Sequence, residues 1–345
     1  MKPGKTNSIT DISGILVGNA HHELAQTGVT VILAEQTAVT ACSIPGGGPG
    51  TRETDALQPA NLVERANAIV LAGGSVYGLD AAGAVAADLG RAGHGFDTGA
   101  ALPSPIVPAA ILYDLRNGGF IDDTRPDLYR ALGSQALSNC ATTFVQGNAG
   151  AGYGAVAGTI KGGLGSASVV CDDLPLIGAV IAANPFGATI DENNRLYAQD
   201  HALLHNGTLE YGDTREYGDA SPRKTPNPKH PLHGTKAALA FAGANTTIGV
   251  IATDADLTKA EAQRVAIMAQ DGLARAINPV HTPFDGDSLF VMATGMRPLA
   301  VDPSKRALNL TALGALAAQC VARAIGHAIW RAETLGAWPA LNEKK

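Results

Sequence analysis

The sequence predicts an α+β protein in which helices pack outside a central β-sheet as a layered sandwich. The 345 residues are 46% hydrophobic and 16% charged, so the chain can bury a large core and is too apolar to be disordered. Apolar, β-branched runs of strand length occur along the chain together with amphipathic or alanine-rich helical segments. The 41 glycines and 5% aromatic residues indicate an interior of small aliphatic side chains with close backbone contacts.

The chain begins with two predicted strands. The runs "TGVTVILAE" (27–35) and "AVTACSI" (38–44) are rich in β-branched residues and separated by a short gap, so we expect two paired strands. A Gly/Pro loop, "PGGGPG" (45–50), follows them. The segment 67–90 then predicts a strand, a glycine turn and an alanine-rich helix from about Tyr77 to Gly90.

Further strands are predicted in the middle and the last third of the chain. Apolar runs of strand length occur within 150–170 and 176–191, and again at 245–257 and 287–295. Between them, residues 198–236 lose all periodicity and collect Gly, Pro, Asn and His. This composition predicts a long surface loop or linker.

Two helices are predicted near the carboxyl end. Thr258 and Glu261 have the T-x-x-E spacing of a capping box, which predicts the start of an amphipathic helix over 258–277. Residues 308–336 form a long apolar segment with helical character that we expect to close the domain.

The bulk composition restricts the partners. A net charge of −6 with no Lys/Arg cluster argues against binding to nucleic acid or to an anionic membrane. The first residues lack the apolar core of a signal peptide, and no run of 18 apolar residues occurs, so we expect a cytoplasmic protein. The four cysteines form no C-x-x-C pair, which favours free thiols over a zinc ribbon or disulfides.

Several segments partly resemble metal-binding or cofactor-binding motifs, but none has all the residues that such a motif requires. The glycine loop at 46–51 lacks the G-K-[ST] of a phosphate-binding P-loop, and "HALLH" (201–205) lacks the glutamate of a zinc protease. Asp285 and Asp287 flank a glycine but lack the later ligands of a calcium loop. We therefore expect no metal and no organic cofactor. The two aspartates fit an exposed Asp-Gly turn or a pair that orients a hydroxyl and an amine.

Six ordered blocks resemble the DmpA-type aminopeptidases, also called the P1 or S58 peptidases, over nearly the whole chain. The blocks are "PGTRETDAL" (49–57), "LAGGSVYGLDAAGAV" (71–85), "GAGYGAVAGTIKGGLGSAS" (150–168), "ANPFGATI" (183–190), "GANTTIGVIATDA" (243–255) and "FDGDSLF" (284–290). The resemblance implies a four-layer αββα sandwich of the N-terminal-nucleophile hydrolase type. It also implies one peptidase domain over 1–345 that cuts itself once.

The matched positions imply where the cut lies and which residue reacts. The scissile bond would join Asn245 to Thr246, giving an α chain of residues 1–245 and a β chain of residues 246–345. Thr246 would be the nucleophile. Its hydroxyl needs a base, and its freed α-amine, which titrates near pH ~8, can accept the proton. Before the cut that amine is part of a peptide bond, so self-cleavage requires another base.

The resemblance also assigns supporting residues. Lys161 matches a lysine of the family's glycine block and would act as a cation near the oxyanion or as a base with a lowered pKa. Asn184 resembles the family's oxyanion-stabilising asparagine, and Tyr113 aligns with a tyrosine near the acyl site. Asp285 and Asp287 would anchor the Thr246 ammonium or hydroxyl and balance the charge of Lys161.

The Asn-Thr junction and the Asp-Gly-Asp sequence are similar to the nylon-oligomer hydrolase branch, whereas many family members have Gly-Ser and a Ser/Glu pair. We therefore expect a self-processing amidohydrolase or aminopeptidase acting on small amides or short peptides, including those with D-, β- or ω-amino acids. The alternatives are an acyltransferase resembling ornithine acetyltransferase and a non-catalytic ligand-binding protein. The resemblance and the apolar composition imply a homo-oligomer of αβ units.

Overall fold

The computed structural model describes residues 1–120, 125–211, 232–239 and 245–343. Much of the predicted loop at 198–236 lies outside the described residues, as do residues 243 and 244 just before the predicted junction. The described beginning of that loop has short elements, including a 3-10 turn at Tyr197–His201.

A mixed sheet is the centre of the described fold. Its nine strands are β1 (Ile15–His22), β2 (Thr27–Ser43), β3 (Thr51–Arg52), β4 (Arg65–Ala72), β5 (Ala109–Ile111), β8 (Gly163–Val169), β9 (Ile177–Asn184), β12 (Thr246–Asp256) and β13 (Ser288–Pro298). Two short hairpins join β6 (Val156–Ala157) to β7 (Ile160–Lys161) and β10 (Leu204–His205) to β11 (Thr208–Leu209). The helices are α1 (Asp80–Arg91), α2 (Arg125–Ser138), α3 (Lys259–Ala276) and α4 (Arg306–Trp330).

The strand order is β3-β5-β4-β2-β13-β12-β9-β8, with β1 also paired to β2. The prediction of two strands over 27–44 was wrong, because β2 is one strand of 17 residues. Polar Glu35 and Gln36 are exposed and interrupt the apolar pattern, but the backbone stays extended through them. The first half of β2 pairs with β1 and its second half pairs with β13, so β2 connects two halves of the sheet.

Three clusters of buried hydrophobic side chains separate four layers of secondary structure. One cluster lies between α3 and α4 and the sheet half that contains β8, β9, β12 and β13. A second contains strand residues from both halves, such as Ile69 and Val250, and none from the four helices. The third lies between α1 and α2 and the other half. Side chains alternate between clusters along each strand, as Leu289 and Phe290 do in β13. The predicted αββα sandwich is confirmed.

Three of the four described helices follow their sequence signals, whereas α2 was not predicted. The capping box that Thr258 and Glu261 predict is present at the start of α3. The first predicted helix begins slightly later than expected, because Ser75–Leu79 form a 3-10 turn before α1. One described helical stretch, Pro303–Trp330, is long and apolar enough to cross a membrane by length and composition, yet 61% of its apolar window is buried. It packs as a core helix against β8 and β9.

The predicted junction lies at the centre of this sheet. Strand β12 lies between β9, which is antiparallel to it, and β13, which is parallel. Thr246 is the first residue of β12, and its partner across β9 is Asn184. The loop before β13 carries Asp285 to Asp287 and runs beside the same end of β12. Strand pairing and the positions of the strand ends therefore bring the three sequence blocks together.

Candidate active site

The Asn245–Thr246 junction is buried and held against a backbone donor. Asn245 and Thr246 are 2% and 3% exposed. The Thr246 hydroxyl donates to the carbonyl oxygen of Asn245, the residue to which its own amide nitrogen is bound. The backbone N–H of Gly286 donates to that carbonyl at 3.1 Å and to the Thr246 Oγ at 3.2 Å. A hydroxyl, a carbonyl and a hydrogen-bond donor to that carbonyl therefore lie together at the predicted scissile bond.

Position 286 has room only for glycine, because neighbouring atoms lie too close for a side chain. A Cβ atom at that position would lie 2.8 Å from the Thr246 Oγ and 2.9 Å from the carbonyl oxygen of Gly48. Asn245 also forms an isolated parallel β-bridge with Asp285, which fixes the approach of this loop to the junction. The glycine between the two aspartates is thus needed for the approach of backbone to nucleophile.

Asp285 and Asp287 are buried on either side of that glycine, and protein donors bind all four carboxylate oxygens. Asp287 Oδ1 accepts from the Thr247 N–H at 2.8 Å, and its Oδ2 lies 2.8 Å from His281 Nδ1. Asp285 accepts from the backbone N–H of Phe186 at 3.0 Å and from the Thr282 N–H. Burial and the neighbouring Asp287 carboxylate raise the pKa of Asp285. In this uncut chain the pair anchors the backbone next to Thr246.

Asn184 links the junction to Tyr113. Its side-chain Nδ2 donates to the backbone carbonyl of Tyr113 at 3.0 Å, and its Oδ1 accepts from the Val156 N–H at 2.9 Å. Asn184 is fully buried and is the strand partner of Thr246. The structure therefore places Asn184 beside Thr246 in the sheet. Tyr113 joins this group through its backbone carbonyl.

Lys161 is buried in the glycine block. Its Nζ donates to the carbonyl oxygens of Gly152, Ala155 and Gly162 at 3.2, 2.9 and 2.8 Å. Burial lowers the pKa of Lys161 to about 7, and the carboxylate of Asp114 opposes this shift. Three acceptors match the three donors of an ammonium ion, which favours the charged form.

The charges around the site differ from the expected arrangement. Asp285 and Asp287 were expected to balance Lys161, but Asp114 is the carboxylate whose charge acts on Lys161. Burial raises the pKa of Asp114 to about 6. Asp285 acts instead on Lys236, a buried lysine that the sequence reasoning missed. Lys236 ends the aperiodic segment at 198–236, where no pattern distinguishes it from a surface lysine.

The arrangement is suited to acyl transfer by a hydroxyl. Among the described residues, no group of three or more His, Cys, Asp or Glu side chains could hold a metal ion. The four cysteines are free thiols, and burial raises the pKa of Cys42, Cys140 and Cys320. At the predicted junction, the Thr246 hydroxyl is the side-chain group that lies beside a carbonyl and a backbone donor.

Comparison with known proteins identifies the family of the chain. The family model of peptidase family S58 matches residues 7–339. An uncharacterized aminopeptidase of Mycobacterium leprae is 39% identical over 355 residues, covering 96% of this chain and 92% of that protein. A 6-aminohexanoate-oligomer endohydrolase of Kocuria sp. is 32% identical over 327 residues, covering 90% of this chain and 82% of that protein.

This chain is also similar to a solved structure, that of an L-aminopeptidase D-Ala-esterase/amidase of Ochrobactrum anthropi, with a TM-score of 0.64. That structure is described as a variant of the Ntn hydrolase fold. The two chains are 20% identical, with 97% of this chain and 88% of that chain covered. The resemblance drawn from six sequence blocks is confirmed: the chain belongs to peptidase family S58.

Proposed function

We propose that this peptidase-family hydrolase cleaves its own Asn245–Thr246 bond and then hydrolyses small amides or short peptides with Thr246 as an N-terminal nucleophile. One observation carries the proposal. The Thr246 hydroxyl lies against the carbonyl of the preceding residue, and Gly286 donates a hydrogen bond to that carbonyl oxygen. A preorganised donor aimed at a carbonyl stabilises the negative charge that develops when the carbonyl is attacked.

Self-cleavage proceeds as an N-to-O acyl shift followed by hydrolysis. The Thr246 Oγ attacks the Asn245 carbonyl carbon and loses its proton, and the Gly286 N–H stabilises the resulting oxyanion. The C–N bond then breaks, and the Thr246 nitrogen takes up the proton that Oγ released and becomes an amine, while Asn245 is held as an ester. Water hydrolyses the ester, which leaves a carboxylate on Asn245 and restores the Thr246 hydroxyl.

The freed amine then serves substrate hydrolysis. An α-amine titrates near pH ~8, so a useful fraction is neutral at pH 7 and can accept the Oγ proton. The substrate acyl group is transferred to Oγ with release of an amine, and water regenerates the hydroxyl. Asn184, which pairs with Thr246 across β9, is proposed to stabilise the oxyanion of this step. The names of the relatives, an aminopeptidase and an oligomer endohydrolase, support amide substrates.

The two fragments are expected to remain one particle. After the cut, β12 and β13 belong to the β chain, yet they pair with β9 and β2 of the α chain. These strands are central in the sheet, so separation would expose the core on both sides. We propose an αβ unit that assembles into a homo-oligomer. Light scattering of the mature protein tests this, and a mass of one αβ unit would contradict the oligomer.

The experiment is intact-mass spectrometry of purified wild type, Thr246→Ala and the matched control Thr247→Ala. Thr247 is the neighbouring threonine and is equally buried. Wild type and Thr247→Ala should give fragments of 245 and 100 residues that hydrolyse an amide substrate, whereas Thr246→Ala should give one inactive chain of 345 residues. A normally cut Thr246→Ala protein would exclude Thr246 as the nucleophile. Adding a competing amine to the assay separates hydrolysis from acyl transfer.

A further inference from the structure

Lys236 is buried beside the junction, and the proposed chemistry gives it no role. Its side chain is 7% exposed. Nζ donates to the side-chain Oδ1 of Asn184 at 3.0 Å and to the backbone carbonyl of Asn184 at 3.3 Å. The backbone N–H of Lys236 donates to the Phe186 carbonyl at 3.0 Å. Lys236 is therefore bound at one end to the last residue of β9 and at the other to the turn that follows it.

These contacts determine how the Asn184 amide is oriented. Oδ1 accepts from two donors, Lys236 Nζ and the Val156 N–H, while Nδ2 donates to the Tyr113 carbonyl. The two ends of an amide differ in that one only accepts and the other only donates. Two donors directed at Oδ1 thus fix the amide with its NH₂ group on the opposite side. Without the Lys236 donor, one of the contacts that prevents rotation of this amide is lost.

We propose that Lys236 is a positioning residue for the reaction at Thr246, because its hydrogen bond to Oδ1 holds the Asn184 amide in the orientation that presents the oxyanion donor. This inference rests on the proposed function of Thr246 and Asn184. Lys236 already makes these contacts in the uncut chain, so it is in place before the Asn245–Thr246 bond is cut. It can therefore act in self-cleavage as well as in substrate hydrolysis.

The charge of Lys236 contributes to the same effect. The charged groups that act on it are Asp285 and Lys161. Burial lowers the pKa of Lys236 to about 7; Asp285 opposes the shift and Lys161 adds to it. The ammonium form, which polarises the Asn184 amide, is thus lost as pH rises through about 7. An arginine at this position would keep its charge over the whole range.

The chain offers a matched control in Lys259. This lysine is also 7% exposed, and its Nζ also donates to two oxygens, the carbonyls of Ala56 and Asn61, both at 3.0 Å. It lies at the start of α3 and has no part in the chemistry above. Lys259→Met therefore removes a buried lysine with a similar set of contacts, and shows what such a loss does to folding alone.

The test compares Lys236→Met, Lys236→Gln, Lys236→Arg and Lys259→Met in the full chain. Self-cleavage is followed on denaturing gels after a pulse of cell-free synthesis, and kcat and KM of the mature enzymes are measured with one p-nitroanilide. Lys236→Met should slow self-cleavage and lower kcat by about 10- to 100-fold with KM little changed, since a misplaced catalytic group costs on the order of 100-fold. Lys236→Arg and Lys236→Gln should restore much of the rate, and Lys259→Met should match wild type.

The pH profile separates positioning from packing. The ratio of the Lys236→Arg rate to the wild-type rate of self-cleavage should increase as pH rises through about 7, because only the lysine loses its charge. Wild-type rates in Lys236→Met, or a Lys236→Arg variant as slow as Lys236→Met, would overturn the inference. If Lys236→Met does not fold, the self-cleavage rates of Lys236→Gln and Lys236→Arg still test the inference. A cut Thr246→Ala protein refutes the proposed function instead.

Discussion

Replacing Gly286 with alanine should disable self-cleavage without removing any proposed catalytic side chain. The new Cβ would lie 2.8 Å from the Thr246 Oγ and 2.9 Å from the Gly48 carbonyl oxygen, where ordinary contacts begin at 3.4 Å. One of these groups must therefore move by about half an ångström. The Gly48 backbone is held by its N–H, which donates to the Asp285 carbonyl at 2.9 Å. The Thr246 hydroxyl or the Gly286 N–H is therefore displaced.

The magnitude follows from the geometry at Gly286. Its N–H bonds both the Asn245 carbonyl and the nucleophile, and the loss of one oxyanion donor costs about 100- to 1000-fold in rate. We expect self-cleavage of Gly286→Ala to be at least about 100-fold slower, which corresponds to about 2.7 kcal/mol of activation free energy. The assay is the fraction of cut chain against time after pulsed cell-free synthesis.

Gly48→Ala is the matched control. A Cβ at that position meets only ordinary contacts, 3.7 Å from the Pro283 carbonyl oxygen and 3.9 Å from that of Asp285. This variant should be cut at about the wild-type rate. Gly286→Ala protein that folds and is cut as fast as Gly48→Ala would refute the role given to the Gly286 N–H.

Two further predictions concern stability. Asp287→Asn keeps an acceptor for the Thr247 N–H but turns an NH₂ group toward the His281 N–H, which donates to Oδ2 at 3.1 Å. We expect a loss of about 1–3 kcal/mol in urea denaturation, and an unchanged midpoint would contradict this. Burial lowers the pKa of His327 to about 4, against the charge of Glu210, so the unfolded state alone gains a proton as pH falls below 6.5. His327 should therefore destabilise the wild type by about 3 kcal/mol between pH 6.5 and 4, and His327→Gln should reduce this slope.

The sequence predicted the elements whose signals are local. Apolar runs of strand length located β12 and β13, and the Thr258/Glu261 spacing located the start of α3. The match to the family blocks named Thr246, Asn184 and the two aspartates, which the structure brings together through strand pairing. Each of these depends on residues that are near one another in the chain or on an ordered set of blocks.

Other features depend on contacts between distant residues and gave no local signal. The gap at Gln36 and Thr37 suggested two strands, whereas the segment forms one strand whose two sides pair with the distant strands β1, β4 and β13. Lys236 stands in an aperiodic segment and becomes significant only through Asn184, 52 positions away. The charge partner of Lys161 could not be chosen from sequence, because the choice depends on which carboxylate the fold buries beside it.

The glycine blocks gave a local signal in the sequence, but their role depends on contacts with distant residues. Sequence alone indicated only that the backbone packs closely there. A Cβ at Gly73 would lie 2.0 Å from the Asp114 carboxylate, and one at Gly154 would lie 3.1 Å from the Asp114 Cβ. The carbonyls of Gly152 and Gly162 accept from Lys161. The glycines therefore enclose a carboxylate and an ammonium whose charges act on each other.

Opposing charges around Thr246 make rate and stability difficult to separate by single substitutions. Lys161 faces the charge of Asp114, and Lys236 faces that of Asp285. Removing one member of a buried pair leaves its partner uncompensated, which costs several kcal/mol regardless of any catalytic role. A slow variant at these positions is informative only beside a control that removes a comparable buried group elsewhere. For Lys236 that control is Lys259→Met: equal losses of folded protein with unequal losses of rate would assign the difference to the reaction at Thr246.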